Sequence, residues 1–206
     1  AGLDDKRLNT PVRRIERDAA GVRVTSDHGA ERFDRLVLAT HPNQALDLLA
    51  DASVLEREVL GAIRYQPNRA VLHTDAGVLP RRRQAWAAWN YERAADNAQE
   101  STRVCLHYLI NRLQPLPFEQ PVLVSLNPVK AIDPAQVLGE FDYEHPVFDL
   151  AAIAAQNRVP GLQGRQHTWY CGAWTGYGFH EDGLKSGLQA AAMLQPTLAA
   201  PQARAA

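Results

Sequence analysis

The sequence predicts a mixed α/β chain (α+β in layout) in which strand-and-helix segments flank an antiparallel sheet. Three observations carry this reading. The runs Phe33 to Ala39 and Thr168 to Cys171 are apolar strands that lead into helical patterns. Between Gln66 and Pro128 the texture changes to four strand candidates punctuated by Pro, Gly, Asp and Asn, as hairpins require. Of the 206 residues, 46% are hydrophobic and 22% charged, enough to bury a real core.

Composition also excludes classes. A formal net charge of -1 leaves no basic excess to hold nucleic acid. No apolar run approaches the ~20 residues of a membrane helix. No signal-peptide pattern opens the chain, so a cytoplasmic location is expected. Two cysteines make no disulfide framework. Cys105 and Cys171 fall in apolar strand runs and read as buried neutral thiols.

Each element follows from local chemistry. Val12 to Arg17 and Val22 to Thr25 are short strands about the turn Asp18-Ala19-Ala20-Gly21, and Asp27-His28-Gly29 turns the chain again. The uniformly apolar end of Phe33 to Ala39 reads as a strand buried on both faces. Pro42 suits a first helical turn, followed by Ala45, Leu46, Leu48 and Leu49. Ser53 and Glu56 have capping-box spacing ahead of the stripe Leu55, Val59, Leu60 and Ile63. Strands are expected at Ala70 to Thr74, Gln84 to Tyr91, Arg103 to Ile110 and Pro121 to Leu126. Short helices should start at Asp133-Pro134 and Asp149, the latter stopping at Val159-Pro160-Gly161. Leu184 to Leu194 reads as a helix and the residues after Pro196 as a frayed tail.

The chemistry concentrates between Tyr170 and Gly187. A strand enters a turn with glycines at 172, 176, 178 and 183, then a helix whose N-terminus offers backbone N–H groups and a positive dipole end. Residues 176–187 read Gly-Tyr-Gly-Phe-His-Glu-Asp-Gly-x-x-Ser-Gly. This stretch resembles the C-terminal flavin-contacting motif of the FAD-dependent amine oxidase superfamily, closest to its bacterial branch of predicted NAD/FAD-binding proteins. Leu36 to Pro42 is similar to the strand-and-turn where such chains re-enter the FAD domain. Thr10 to Ile15 is similar to the strand near the adenine.

The resemblance implies an FAD-dependent oxidoreductase that oxidises an amine or an apolar, fatty-acyl small molecule by hydride transfer to flavin. An FAD/NAD(P)-binding domain would comprise residues 1–63 and 149–195, and a sheet-based substrate domain residues 64–148, with a tail at 196–206. Val12 would contact adenine, Ala39 and Thr40 the dinucleotide, and Gly172 and Ala173 the ribityl-pyrophosphate. Gly183 and Leu184 would face the flavin pyrimidine edge, with His180, Glu181, Asp182 and Ser186 on the cofactor side. Trp86, Trp89 and Tyr108 would line a substrate pocket or belong to the sheet core. No catalytic side chain is assigned.

The chain departs from the pattern after the motif glycine, where many relatives carry an acidic residue. Here Ala173-Trp174 leaves backbone contacts, with Glu181 or Asp182 as polar substitutes. G-x-G-x-x-G, the pyrophosphate cradle, does not occur in the 206 residues. The chain therefore reads as the C-terminal, incomplete part of such an enzyme, with an N-terminal Rossmann half as its partner. Alone it is expected to bind FAD poorly and be inactive and colourless. The alternative is a non-catalytic binding or interaction domain that keeps the fold without cofactor. His180-Glu181-Asp182 lacks H-E-x-x-H spacing, so no metal is expected.

Overall fold

The computed structural model describes residues 5–93 and 105–199. They form two units: one combines the segment up to Tyr65 with that from Pro146 onward, the other runs from Gln66 to His145.

In the first unit, β1 (Val12–Asp18), β2 (Gly21–Ser26) and β3 (Gly29–Phe33) form an antiparallel sheet. Gly21 has φ +128°, and a Cβ there would lie 2.5 Å from the Phe33 carbonyl oxygen, so the β1–β2 turn requires glycine. β4 (Leu36–Leu38) pairs in parallel with β10 (Thr168–Tyr170), joining residues from opposite ends of the chain. The helices are α1 (Pro42–Leu48), α2 (Val54–Gly61), α4 (Leu150–Gln156) and the 20-residue α5 (His180–Ala199). Ser53 caps α2 as its spacing predicts, and Asp149 caps α4 by accepting from the Ala152 N–H at 2.9 Å. Ile15, Val22, Leu38, Val59, Leu60, Tyr170 and Trp174 fill the core.

In the second unit, β5 (Tyr65–His73), β6 (Trp89–Glu92), β7 (Cys105–Leu109), β8 (Leu123–Leu126) and β9 (Val137–Pro146) make a sheet in the order β6-β7-β8-β5-β9. The one-turn α3 (Ile110–Leu113) follows β7. Val78, Leu79, Leu109 and Leu123 form its core, with Trp86 and Ile132 packed against them.

Several expectations are corrected. The run Phe33 to Ala39 is two strands, because at Asp34-Arg35 the chain leaves β2 for β10. β4 is not buried on both faces: Val37 is 42% exposed, since among the described residues β4 has a single neighbouring strand. The strand expected from Gln84 starts at Trp89. Arg83–Ala85 form a 3-10 turn, and the Asn90 carboxamide bonds both the N–H and the C=O of Ala87, bending the chain there. β9 was not expected, because Val-Leu-Gly-Glu-Phe-Asp-Tyr-Glu-His-Pro is polar and mostly exposed at a sheet edge. Helix α5 starts at His180, not Leu184, and continues past Pro196 to Ala199. Arg103 and the tail from 200 to 206 lie outside the described residues.

One buried ionic cluster ties the first unit together. The Arg17 guanidinium donates to both oxygens of Glu56, at 2.5 and 3.0 Å, and to Asp51 at 3.0 Å. The Tyr170 hydroxyl donates to the same Glu56 carboxylate. Ser53 adds bonds from its N–H (2.7 Å) and hydroxyl (2.8 Å). Burial alone would raise the Glu56 pKa, but the bonds from Arg17, Tyr170 and Ser53 outweigh it and hold it at about 2.

Removing one partner of such a pair strands a buried charge. Glu56→Gln is therefore expected to lower stability by about 3–5 kcal/mol, read from urea midpoints. The depressed pKa stabilises the fold fully above the ordinary value of 4.5, and that contribution is lost as pH falls toward about 2. The gap between wild type and variant should thus be constant at neutral pH and close over that acid range.

Candidate functional site

The carboxyl ends of the parallel pair β4 and β10 define the site. Beyond β4, Ala39 and Thr40 lead into α1. Beyond β10, Cys171 extends the ladder by donating to the Leu38 carbonyl at 3.0 Å, and Gly172 turns the chain. Ligands of parallel sheets gather outside such strand ends. A cavity of about 560 Å³ opens beside β4, lined by Val12, Val24, Val37, Ala39, Thr40 and Leu48 among others. Its walls are mostly apolar. Three expected cofactor residues, Val12, Ala39 and Thr40, therefore share one cavity.

The second part of the site is the turn from Gly172 into α5. Gly172 has φ +150°, and a Cβ would lie 2.5 Å from Trp174 Nε1, so glycine is needed for the indole to fold under the turn. The buried Trp174 donates through Nε1 to the Thr40 carbonyl at 3.2 Å. That bond joins the turn to the cavity wall. Gln156 donates to the carbonyls of Trp174 (3.0 Å) and Gly176 (2.7 Å) and anchors the turn from α4.

Ser186 is 7% exposed, and its hydroxyl accepts from the Gly172 N–H at 2.9 Å while lying 2.8 Å from the Gly183 carbonyl. Asp182 accepts from the N–H groups of Tyr177 and Phe179, both at 3.0 Å. A Cβ on Gly176 would lie 2.6 Å from its carboxyl carbon. Asp182 thus closes the turn and starts α5 four residues before Leu184 by bonding backward to the helix N-cap. Both side chains are engaged by the protein's own backbone, which leaves them positioning the turn. Glu181 is exposed and pairs with Lys185 at 3.5 Å. The His180 and Glu181 N–H groups, in the first turn, have no acceptor within the helix.

Gly183 and Gly187 lie one turn apart inside α5. A Cβ at Gly183 would meet nothing nearer than 3.6 Å, and one at Gly187 nothing within 4 Å. Neither is required by internal packing, although glycine within a helix costs about 1 kcal/mol relative to alanine. The adjacent Leu184 and Leu188 are 59% and 62% exposed.

The expected pocket residues divide between two faces of the second sheet. Trp89 and Tyr108 are cross-strand partners with ring centroids 5.2 Å apart. Trp86 packs against the core on Leu109 and Leu123 and donates to the Pro80 carbonyl at 2.8 Å, so it does not join them. Trp174 and Gln156 were not among the expected site residues. A tryptophan directly after the Gly172-Ala173 turn was the available signal; Gln156 gave none.

A parallel strand pair, a glycine turn and a helix N-terminus thus lie together at one end of the first unit. Residues 2–74 match the family model for flavin containing amine oxidoreductases, a span that includes Val12, Ala39 and Thr40 but not the 170–187 motif. The fold matches the fatty acid isomerase of P. acnes that produces CLA (TM-score 0.59, 18% identity, 91% of this chain and 47% of that one). It also matches cyclohexylamine oxidase from Brevibacterium oxydans IH-35A (0.56, 16%, 91% and 48%) and a redesigned putrescine oxidase (0.58, 12%, 94% and 50%). The chain spans about half the length of these structures. No curated protein matches it. The chain is thus similar to that family over residues 2–74, and it shares the mixed helix and antiparallel-sheet fold of these solved structures.

The glycines separate structural from permissive positions. Gly172→Ala is expected to destabilise by about 1–3 kcal/mol through the clash with Trp174. Gly183→Ala should leave the melting temperature unchanged or higher. Thermal melts of the two variants check both outcomes.

Proposed function

We propose that the protein is an FAD-dependent oxidoreductase of the amine-oxidase type, and that this chain supplies the flavin-side turn, the helix α5 and the substrate sheet. The observation that carries the proposal is the pair Gly183 and Gly187. A Cβ at Gly187 would meet nothing within 4 Å and one at Gly183 would only touch Ala173 at 3.6–3.9 Å, so this face of α5 has no internal need for glycine, next to the turn that Trp174 ties to the Ala39–Thr40 cavity. A flat heterocycle approaching a helix N-terminus needs such a face.

The residues fit the cofactor. The apolar cavity at Val12, Ala39 and Thr40 suits adenosine, and the Gly172-Ala173 turn suits the ribityl-pyrophosphate through its backbone. Gly183 and Leu184 suit the pyrimidine edge of the flavin, facing the first-turn N–H groups of His180 and Glu181. When bound, FAD supplies hydride acceptance from a C–N or C–H bond. The chain's own part is to orient it and to place positive dipole density at its electron-accepting edge.

The substrate we infer is an apolar small molecule, an amine or a fatty-acyl compound. Trp89 and Tyr108 offer it an aromatic face. The matched folds carry names of amine oxidases and of a fatty acid isomerase. The pyrophosphate cradle would come from an N-terminal Rossmann half bearing G-x-G-x-x-G, since the 206 residues contain none.

The test combines the chain with such a half, in one polypeptide or two. The chain alone should be colourless, and the assembly should bind stoichiometric FAD. Gly183→Ala should weaken FAD binding about tenfold, which is about 1.4 kcal/mol, without lowering the melting temperature of the chain. Unchanged FAD affinity in that variant would sink the assignment of α5.

A further inference from the structure

A second cluster of reactive side chains lies in the β5–β8 region of the other sheet, where the flavin reading uses none of them. Glu92 ends β6 and Cys105 begins β7, directly opposite it. His107 follows on the same face of β7. Cys105 Sγ lies 3.6 Å from Glu92 Oε2 and 3.8 Å from His107 Nε2, and His107 Nε2 lies 2.9 Å from Glu92 Oε2. Cys105 and His107 are 3% and 1% exposed. Glu92 opens to the rim, where the exposed Lys130 ammonium lies 2.7 Å from its other oxygen.

Behind His107 runs an orienting chain. His107 Nδ1 is 2.6 Å from Ser125 Oγ, which is 2.6 Å from His73 Nε2. The Asp75 N–H donates to His73 Nδ1 at 3.2 Å, which fixes the proton of His73 on Nε2. The bonds then run one way: His73 donates to Ser125, Ser125 to His107, and His107 through Nε2 to Glu92. Each group is satisfied in this direction.

We propose that Glu92, Cys105 and His107 form a divalent-metal site of the zinc class that clamps the two ends of the β6–β7 connection. Thiolate, imidazole and carboxylate are the zinc donor set, at metal–ligand distances of about 2.0–2.3 Å. Tetrahedral geometry at those lengths separates donors by about 3.3–3.7 Å. The two sulfur separations already stand close to this range, and the His107–Glu92 pair must open slightly. An imidazole held from behind through its second nitrogen is the usual support of a metal ligand. The fourth position faces the rim and takes water.

Binding releases the Cys105 thiol proton. The proton on His107 Nε2 also leaves, each bond of the chain reverses, and His73 takes up a proton at Nδ1 in place of the bond from Asp75. Lys130 opposes the metal by charge.

Cobalt(II) is the probe, titrated into the reduced chain. The expected result is one equivalent bound with a thiolate-to-cobalt absorption in the near ultraviolet. Cys105→Ser should abolish that absorption and Cys171→Ser should keep it. Lys130→Met should tighten binding about tenfold by removing a nearby positive charge, an effect that a purely structural hydrogen-bond network would not show. If Cys105→Ser does not fold, Glu92→Gln takes its place and should retain the absorption at lower affinity. Absence of saturable binding, binding without the thiolate absorption, or absorption surviving in folded Cys105→Ser overturns the proposal. None of these outcomes depends on whether the chain binds flavin.

Discussion

The first unit depends on the buried pairing of Arg17 with Glu56. Its residues come from two stretches of chain far apart in sequence, and this cluster bonds them inside the core, beside the β4–β10 ladder. Arg17 lies on β1, Glu56 on α2 and Tyr170 on β10, and all three side chains meet at one carboxylate. The desolvation of two charges in a core is expensive, and it is offset here only because every donor and acceptor is engaged. Ser53 completes the set, so one carboxylate both caps a helix and fixes the strand that delivers Gly172. Apolar packing around Ile15, Leu60 and Tyr170 supplies adhesion without direction, whereas the bidentate guanidinium–carboxylate pair fixes α2 against β1 and the Tyr170 hydroxyl brings β10 to the same carboxylate.

The candidate site inherits that placement. Once β10 lies beside β4, Trp174 reaches Thr40, Ser186 reaches Gly172, and Asp182 gathers the two N–H groups before α5. The polar side chains of the motif therefore work inward, holding the turn. What the turn presents outward is backbone, glycine and apolar surface. That division suits a cofactor bound by shape and helix dipole, and it gives the turn polar support although Ala173-Trp174 follow Gly172.

Local chemistry was legible in the sequence wherever the partners are close along the chain. The Ser53–Glu56 capping box, Pro42 at the start of α1, Asp149 at α4 and the strand before Gly172 all follow from short-range spacing. Arg17 carries no mark of its bond to Glu56, because that pairing spans 39 positions and depends on the packed core. The start of α5 was hidden for a related reason: Asp182 acts backward on Phe179 and Tyr177, so the glycine-rich turn is helical earlier than its composition suggests. β9 was hidden because an edge strand can be polar on both faces. The exposure of Val37 runs against its apolar run, since such a run states what a strand can bury and not what covers it. Cys105 read as a neutral thiol, while the register of β6 against β7 sets it beside Glu92 and His107.

The central claim is that the start of α5 and the end of β4 together face the flavin dinucleotide. Amide hydrogen exchange on the assembled protein, with and without FAD, tests it most directly. The His180 and Glu181 amides have no acceptor within the helix, so they should exchange fast without FAD and become protected with it. Ala39 and Thr40 should gain protection in the same experiment. Bound FAD with no change at these four amides would contradict the account.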